Sequence, residues 1–294
     1  MRRLGKYGIP SFKRDFPDDK ACLEYIFDLR HTRKCSCGGR YSLMKDGQKL
    51  TKKFQCSKCR FKISPTACTI FHKSRTSLTL WFHTILIFSN AKSGISAKQI
   101  HRNLEVTYKC AYRILHKIRN LLKQDDIKLK GDVEIDIGYF GGKGYAGKDN
   151  VHLSRVMAKK SVVIVAVERG GHVKAKIVPD STSNTMTAFI KENIQPKTTS
   201  VLTDSSKVYM QSDKTHDRYA VDHHKGEYVR GDIHINTVET FFSHLKRSIR
   251  GTHKVISRQH LQTYLDGFVF HYNNRHNDKE RFSLLIQKLL PFSR

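Results

Sequence analysis

The chain of 294 residues carries 54 Lys and Arg side chains against 26 Asp and Glu, a formal net charge of +28 at pH 7. An excess of this size goes beyond what solubility requires and favours a polyanionic partner, nucleic acid before an anionic membrane surface. No apolar run is long enough to span a bilayer, and the start, MRRLGKYGIPSFKRDF, lacks the apolar segment of a secretory signal. We therefore expect an intracellular protein that does not use a membrane.

The charge and the cysteines are unevenly distributed along the chain. Residues 1–130 hold 29 basic and 9 acidic side chains, a net of +20, whereas residues 131–294 hold 25 and 17, a net of +8. The two halves are therefore expected to do different jobs. Seven cysteines, an odd number in a chain without a secretion signal, indicate reduced thiols or metal ligands rather than a disulfide framework.

Four cysteines form two close pairs in the segment CSCGGRYSLMKDGQKLTKKFQCSKC. The pairs are Cys35 with Cys37 and Cys56 with Cys59. Because zinc takes four thiolates in a tetrahedron, the pairs predict a zinc ribbon at about residues 31–64, within an N-terminal segment of residues 1–75. The first pair is Cys-x-Cys rather than Cys-x-x-Cys, so another residue could replace one ligand: His31, Cys22 or Cys68. Four ordinary buried thiols are the alternative interpretation.

A helical region is predicted over residues 76–130. Its first helix, in SLTLWFHTILIFSN, has a broad apolar surface formed by Trp81, Ile85, Leu86 and Phe88. The following segment, ISAKQIHRNLEVTYKCAYRILHKIRNLL, begins at a Ser96 cap and predicts two helices separated by a short break. Their inward side chains are expected to be Ile100, Leu104, Tyr112, Leu115 and Ile118. The pattern is that of a helix-turn-helix.

The outer face of this helical pair is basic. The side chains that could contact phosphates or base edges in a major groove are Lys109, Arg113, His116, Lys117 and Arg119. A plain helical hairpin with solvated lysines is an equally good interpretation of this segment alone. Its position in the basic N-terminal half favours the DNA-binding hypothesis.

Near residues 128–132 the pattern changes from helical periodicity to apolar runs typical of strands. VEIDIGYF, SVVIVAVE and HVKAKIVPD predict three consecutive strands, with a hairpin turn at Gly170 and Gly171. TSNTMTAFIKENI predicts a capped helix, and SVLTDSS and YAVDHH predict two more strands. This order predicts an α/β domain over residues 131–276, a mixed sheet flanked by helices, followed by a helical tail over residues 277–294.

Three carboxylates stand out in a chain with so few acids. Asp136 lies in the middle of an apolar strand, where burial is costly without compensation, and Asp204 ends the strand VLTD. Glu239 lies in the helical segment INTVETFFSHLKR. If the three converge, they form an oxygen-rich site suited to two Mg²⁺ or Mn²⁺ ions, which support phosphodiester chemistry. Each acid taken alone could equally be an ordinary strand-end or helix-face carboxylate.

The helical segment that contains Glu239 has two faces at about 100° per residue. One face gathers the apolar residues Val238, Phe241, Phe242, Leu245 and Ile249, and the other gathers Asn236, Glu239, Ser243, Lys246 and Arg250. We therefore expect the helix to dock by its apolar face and to display the acid among cations. On this interpretation Glu239 holds a metal ion, and the DNA-binding cations are Lys246, Arg247 and Arg250.

Several segments together resemble a known family. VEIDIGYFGGK, the TD at residues 203–204 and HINTVETFFSHLKRSIRGTHKVISRQHLQTYLDGFVFHYNNR are similar to the DDE transposases of the insertion-sequence group with an N-terminal zinc ribbon, the ISXO2-like group related to Merlin elements. The resemblance covers about residues 30–276. It implies an RNase H-like catalytic domain whose acidic triad is Asp136, Asp204 and Glu239. It also implies a catalytic role for Lys246 and supporting motif positions at His223, His234 and Asn236.

Transposases of this kind bind terminal inverted repeats, cut DNA at the element ends and join the 3′ ends to target DNA. The resemblance thus implies Zn²⁺ in the ribbon, two Mg²⁺ or Mn²⁺ ions in the catalytic site, DNA as partner, and a homo-oligomer of at least two subunits on paired ends. The alternative hypothesis is a transposase-derived zinc-ribbon protein that binds DNA and regulates without cleaving it. A metal-dependent nuclease that hydrolyses DNA without joining is a third hypothesis.

Overall fold

The two predicted cysteine knuckles flank a small antiparallel sheet near the start of the chain. Its strands are β1 (Tyr41–Asp46), β2 (Lys49–Cys56) and β3 (Lys62–Ile63), in the order β1-β2-β3. Two helices precede it, α1 (Ile9–Asp15) and α2 (Asp19–Arg30). Tyr41 pairs with Cys56 across the first two strands, so the start of β1 and the end of β2 lie side by side. The hairpin thereby brings the two cysteine pairs together.

The computed structural model describes residues 7–46, 49–141, 160–209, 216–222 and 225–290. The chain divides into two compact units, which are described separately. The N-terminal unit comprises residues 1–91, 95–122 and 276–294, and the sheet unit comprises residues 92–94 and 123–275. In the described parts of both units, no helix combines the length and the apolar character needed to cross a membrane.

Three helices follow the small sheet in the N-terminal unit: α3 (Leu78–Asn90), α4 (Ala97–Asn103) and α5 (Tyr108–Leu121). The predicted Ser96 cap is confirmed, because its side chain accepts a hydrogen bond from the Gln99 amide at 3.2 Å. The predicted apolar surface of α3 is also confirmed, since Trp81, Ile85, Leu86 and Phe88 are all buried. These side chains form much of the core of the unit.

Two of the expectations for α5 are wrong. Tyr112 was expected to point inward, but it is 42% exposed, and the buried stripe contains Ala111, Ile114, Leu115 and Ile118 instead. Arg119 was expected on the basic outer face, but it is buried and donates a hydrogen bond to the Ile95 carbonyl at 2.7 Å. The predicted inward positions Leu115 and Ile118 are buried, so both errors lie at the border of the apolar stripe.

The sheet unit is built on five strands: β4 (Leu129–Phe140), β5 (Ser161–Glu168), β6 (Val173–Val178), β7 (Ile194–Asp204) and β8 (Asp217–Val221). Their order is β6-β5-β4-β7-β8. β5 runs antiparallel to both of its neighbours, whereas β4, β7 and β8 are parallel. A short pair, β9 (Val229–Arg230) and β10 (Ile233–His234), lies outside this sheet.

Helices cover both faces of the five-stranded sheet. On one face, α6 (Ser183–Asn193) packs its Met186, Phe189 and Ile190 against Val133 and Ile135 of β4. The other face is covered by α7 (Asn236–Ser248) and α8 (Arg258–Asn273), which are joined by a π-helical turn, Ile249–His253. The predicted mixed α/β sheet flanked by helices is therefore confirmed. The last helix, α9 (Arg281–Leu289), packs against α3 in the N-terminal unit.

Candidate active site and cysteine cluster

The face of β4 that α7 covers carries three residues at alternate positions, Glu134, Asp136 and Gly138. Successive strand residues point to opposite faces, so these three share the side opposite Val133 and Ile135. At Gly138 the ring of Phe242 comes so close that an added Cβ would lie 2.4 Å from its Cε1 atom. Only glycine allows this approach, which brings α7 down onto the strand that carries Asp136.

Asp136 is a half-buried carboxylate beside two other acids. Burial, with the charges of Asp204 and Glu239, raises its pKa to about 6, although the Ile137 amide and the Lys246 ammonium act to lower it. The Ile137 amide donates to Asp136 Oδ1 at 2.7 Å. The structure therefore brings the three predicted acids and Lys246 into electrostatic contact around one strand.

The two partners of Asp136 come from different elements. Asp204 is the last residue of β7, where its Oδ1 accepts the Ser206 amide at 3.1 Å. Glu239 lies in the first turn of α7 and is exposed, whereas the apolar side of that helix is buried. The predicted division of α7 is confirmed: Val238, Phe241, Phe242 and Leu245 are buried, while Glu239, Ser243 and Lys246 are exposed.

A cleft of about 750 Å³ opens between β4 and α7. Its lining includes two of the three acids, Asp136 and Glu239, together with the three cations predicted to bind DNA, Lys246, Arg247 and Arg250. Lys246 Nζ lies 5.8 Å from the centre of the Phe242 ring, which holds the ammonium near the cleft. Acids and cations thus line the same cleft. A site that binds a metal ion through its acids and a polyanion through its cations requires this arrangement.

The donor set of the cleft fits a hard divalent cation. Carboxylate oxygens are the ligands that Mg²⁺ and Mn²⁺ prefer, and Asp136 interacts electrostatically with two further carboxylates, Asp204 and Glu239. The raised pKa of Asp136 indicates that its negative charge is unfavourable in the protein alone. A bound divalent cation would compensate that charge, so Asp136, Asp204 and Glu239 are the side chains that could hold it.

Glu134 holds the first turn of α7 in place, a role that the sequence pattern did not indicate. The helix has no capping side chain of its own. Glu134, which is fully buried, accepts the amides of Thr237 and Val238 at 2.6 and 3.0 Å and the Thr237 hydroxyl at 2.9 Å. A carboxylate at a helix N-terminus satisfies unpaired amides and interacts favourably with the helix dipole. Strand β4 therefore fixes the first turn that carries Glu239.

Arg169 completes this arrangement, which we call the Glu134 clamp (Glu134, Arg169, His234 and Thr237). Arg169 Nε donates to Glu134 Oε1 at 2.8 Å, and its Nη2 donates to the His234 carbonyl at 3.0 Å. The His234 ring lies 3.1 Å from the same nitrogen, so this predicted motif residue is placed beside the clamp. Asn236 begins α7 and is exposed. His223 lies outside the described residues.

The four predicted zinc ligands gather at one end of the β1-β2 hairpin. Their Sγ atoms all lie within 4.8 Å of one another, and Cys35 to Cys59 and Cys37 to Cys56 are 3.7 and 3.5 Å apart. Tetrahedral zinc with Zn–S bonds of about 2.3 Å requires sulfur atoms about 3.8 Å apart, so the group fits the ion. The Tyr41 hydroxyl, which donates to Cys35 Sγ at 3.3 Å, lowers the pKa of that thiol to about 6. A ligand thiolate is thereby favoured.

The predicted DNA contacts of α5 lie on the N-terminal unit. Lys109 and Arg113 are exposed and Lys117 is half-buried. Arg113 donates to the Thr76 hydroxyl at 2.6 Å, which fixes its direction at the base of the helix. Between these cations, the rings of Tyr108, Tyr112 and His116 form an outward row. The surface is therefore both basic and aromatic.

An acid-containing cleft with cations on its rim, built on a mixed α/β sheet, is an arrangement typical of enzymes that process nucleic acid. Residues 128–273, which form most of the sheet unit, match the family described as the ISXO2-like transposase domain. The chain therefore contains a transposase domain of this family.

Two individual proteins are similar to the chain. One is an uncharacterized protein in transposable element ISH50 of Halobacterium salinarum, 26% identical over 246 residues, which are 79% of this chain and 82% of the relative. The other is a chain in the solved structure of the simian T-cell lymphotropic virus intasome in complex with PP2A regulatory subunit B56 gamma. It is 14% identical and covers 65% of this chain and 74% of its own length, with a TM-score of 0.31. So low a TM-score carries no argument.

Proposed function

We propose that the chain is an active DNA transposase that binds terminal inverted repeats, cuts the DNA at the element ends and joins the freed 3′ ends to target DNA. The observation that carries the proposal is the electrostatic interaction of Asp136 with Asp204 and Glu239 within the family's domain, beside cations on one helix face. The strand order, with only the second strand antiparallel to the others, supports an RNase H-like catalytic fold.

The three carboxylates are proposed to hold two Mg²⁺ or Mn²⁺ ions. Such ions, when bound, make a water or a DNA 3′ hydroxyl nucleophilic and stabilise the leaving oxygen. The chain itself orients the ligands: β4 and β7 present Asp136 and Asp204, and the Glu134 clamp holds the first turn of α7 with Glu239. The rigid strand and the fixed helix together set the ligand geometry.

Lys246, Arg247 and Arg250 are proposed to bind the DNA backbone on either side of the scissile phosphate. They line the same cleft as the acids, so a phosphate bound by them lies within reach of the metal site. In the N-terminal unit, the cysteine cluster is proposed to hold Zn²⁺ as a ribbon. Lys109, Arg113 and Lys117 are proposed to grip the repeat through a helix-turn-helix. Pairing of two ends is proposed to require a homo-oligomer.

A cleavage assay tests the proposal. The full chain is incubated with a duplex that contains the terminal repeat flanking its gene, with Mg²⁺ or with EDTA, and a plasmid target. Cleavage at the repeat end and covalent joining of the 3′ end to the plasmid, both only with Mg²⁺, are expected. Binding without cleavage would support the regulatory hypothesis instead. Cleavage without joined products would support a nuclease that only hydrolyses.

A further inference from the structure

A second cavity adjoins the acidic cleft in the sheet unit. We call it the side groove: it encloses about 680 Å³ beside the end of β4 and the turn between α7 and α8. It shares two of its lining residues, Lys246 and Arg250, with the cleft. The acidic cleft and the side groove are therefore neighbours on the protein surface, joined at these two cations.

The lining of the side groove combines cations with an apolar floor. Three further cations, Lys160, Lys254 and Arg258, line it, and its described lining contains no acid. Among the described residues, none of these three cations forms an ion pair. The floor contains Phe140 and Leu261, which are buried, and Ile249. Phosphates need only the cations, whereas an apolar floor accommodates the flat face of a nucleobase.

The turn that forms one wall is strained and yet firmly held. The α-helix widens into the π-helical turn Ile249–His253, and Lys254 then adopts φ 64°, an uncommon angle for a residue with a side chain. The turn is fixed from behind, because Thr252 Oγ1 donates to the Ser93 carbonyl at 3.2 Å and His253 packs edge-on against Tyr264. Strain retained in a well-anchored turn is typical of binding sites.

The strained turn presents an aliphatic side chain to solvent. Val255 is 81% exposed, the most exposed large hydrophobic residue in the described chain, and it stands at the edge of the side groove. Proteins that unstack DNA bases insert an exposed aliphatic side chain of this kind between them, where it occupies the space that a base leaves. Val255 and the apolar floor thus lie side by side in the side groove.

Resting on the proposed transposase function, we infer that the side groove receives one nucleotide unstacked from the DNA strand next to the scissile phosphate. Val255 fills the gap left in the stack, the apolar floor contacts the extruded base, and Lys254 and Arg258 bind the neighbouring phosphates. The substrate class is thus DNA that can be unpaired at the cut.

Ser257→Trp is the variant that tests the inference. Ser257 lines the side groove, is exposed, and makes no capping hydrogen bond at the start of α8, so a tryptophan there obstructs the groove without removing a helix cap. Gln259→Trp is the matched control, since Gln259 is exposed on the same helix two residues later and does not line the groove. Thermal unfolding of both variants confirms that they fold.

The first readout is independent of cleavage. 2-Aminopurine is placed at each position within three nucleotides of the cut in a terminal-repeat duplex, and its emission is measured on binding in Ca²⁺. Emission is expected to rise severalfold at one position with the wild type and with Gln259→Trp, and to stay at the level of free duplex with Ser257→Trp. Equal increases for the two tryptophan variants, or no increase with the wild type, would overturn the inference.

The second readout is cleavage in Mg²⁺. Ser257→Trp is expected to cut the paired duplex at least about tenfold more slowly than Gln259→Trp, and an abasic site at the responsive position should restore its rate to within about twofold. Lys254→Asn, which keeps a residue tolerant of positive φ, should also slow the cut. If the abasic site rescues nothing, the side groove does not hold the base. A wild type that binds but never cuts contradicts the proposed function, while the emission test still decides on the groove.

Discussion

The cysteine cluster and the acidic cleft are both candidate metal sites, but the chain assembles them to different degrees. The four sulfur atoms already stand at the spacing of a tetrahedral zinc site, held by a hairpin. Two of the three carboxylates, Asp136 and Glu239, line a wide cleft, and burial together with the charges of Asp204 and Glu239 raises the pKa of Asp136. A closed group of ligands suits an ion that maintains the fold, whereas an open, electrostatically unfavourable group suits ions that work on a substrate.

The largest expected effect concerns the zinc site. Cys56→Ser should lose the bound zinc and unfold the small sheet, because zinc binding contributes on the order of 10 kcal/mol to the folding of such ribbons. The measurements are zinc stoichiometry per chain and hydrogen exchange of β1 and β2, with the sheet unit expected to stay protected. Cys68→Ser is the control, since Cys68 is exposed and outside the cluster. A Cys56→Ser protein that keeps one zinc per chain would refute this ligand set.

The acidic cleft should behave in the opposite way. Asp204→Asn is expected to reduce Mg²⁺-dependent cleavage by at least about 10⁴-fold, because a metal ligand acts on the transition state, while leaving the fold and the DNA affinity nearly unchanged. Cleavage rates, circular dichroism and a binding titration measure the three quantities. Asp217→Asn, at an exposed position on β8, is the matched control. Loss of folding in Asp204→Asn would mean that the two metal sites are not distinguished in this way.

The Glu134 clamp explains how the open acidic cleft can still hold Glu239 in a fixed position. Glu134→Gln keeps the size of the side chain but removes the charge that faces Arg169, and breaking a buried pair of this kind costs about 3 to 5 kcal/mol. Urea unfolding measures the loss, and the Mg²⁺ concentration for half-maximal cleavage should rise because the first turn of α7 is released. Glu192→Gln is the control: its pair with Lys176 is exposed, so about 1 kcal/mol or less is expected. Equal losses in the two variants would contradict the clamp.

The sequence alone was sufficient to predict a site residue where the residue type conflicts with its local surroundings. An acid in an apolar strand singled out Asp136, and helical periodicity correctly separated the two faces of α7. It was insufficient for Glu134, whose partners on α7 are more than 100 positions away. A signal existed, because Glu134 and Asp136 are two residues apart on one strand and must share a face.

The errors in α5 have a related cause. Periodicity predicts that a stripe is buried, but an aromatic residue at its border can turn either way, and the packing of neighbouring helices decides. Tyr112 joined the exposed row with Tyr108, and Arg119 turned inward to a backbone carbonyl. The side groove was equally invisible, since it is formed by a strand end and a strained turn that lie far apart along the chain.

The smallest expected effect is a pH dependence of the free energy of unfolding that comes from Asp136 in the acidic cleft. The pKa of Asp136 is raised to about 6 in the fold, so between about pH 4 and pH 6 the folded state holds a proton that the unfolded chain has lost. The free energy of unfolding without divalent metal should therefore fall as the pH rises through this interval, by up to about 3 kcal/mol for a two-unit shift.

Asp136→Asn should remove that part of the pH dependence, and Mg²⁺ should restore stability to the wild type above pH 6 because the ion replaces the proton as the compensating charge. Urea titrations of both proteins at pH 4 and pH 7, with and without Mg²⁺, measure it. Asp180→Asn gives the opposite sign: hydrogen bonds from Thr185 and Thr182 lower the pKa of Asp180, so its stabilisation is present at neutral pH and is lost on acidification. If wild type and Asp136→Asn lose stability in parallel from pH 4 to pH 7, the cleft is not electrostatically unfavourable, and its contrast with the cysteine cluster fails.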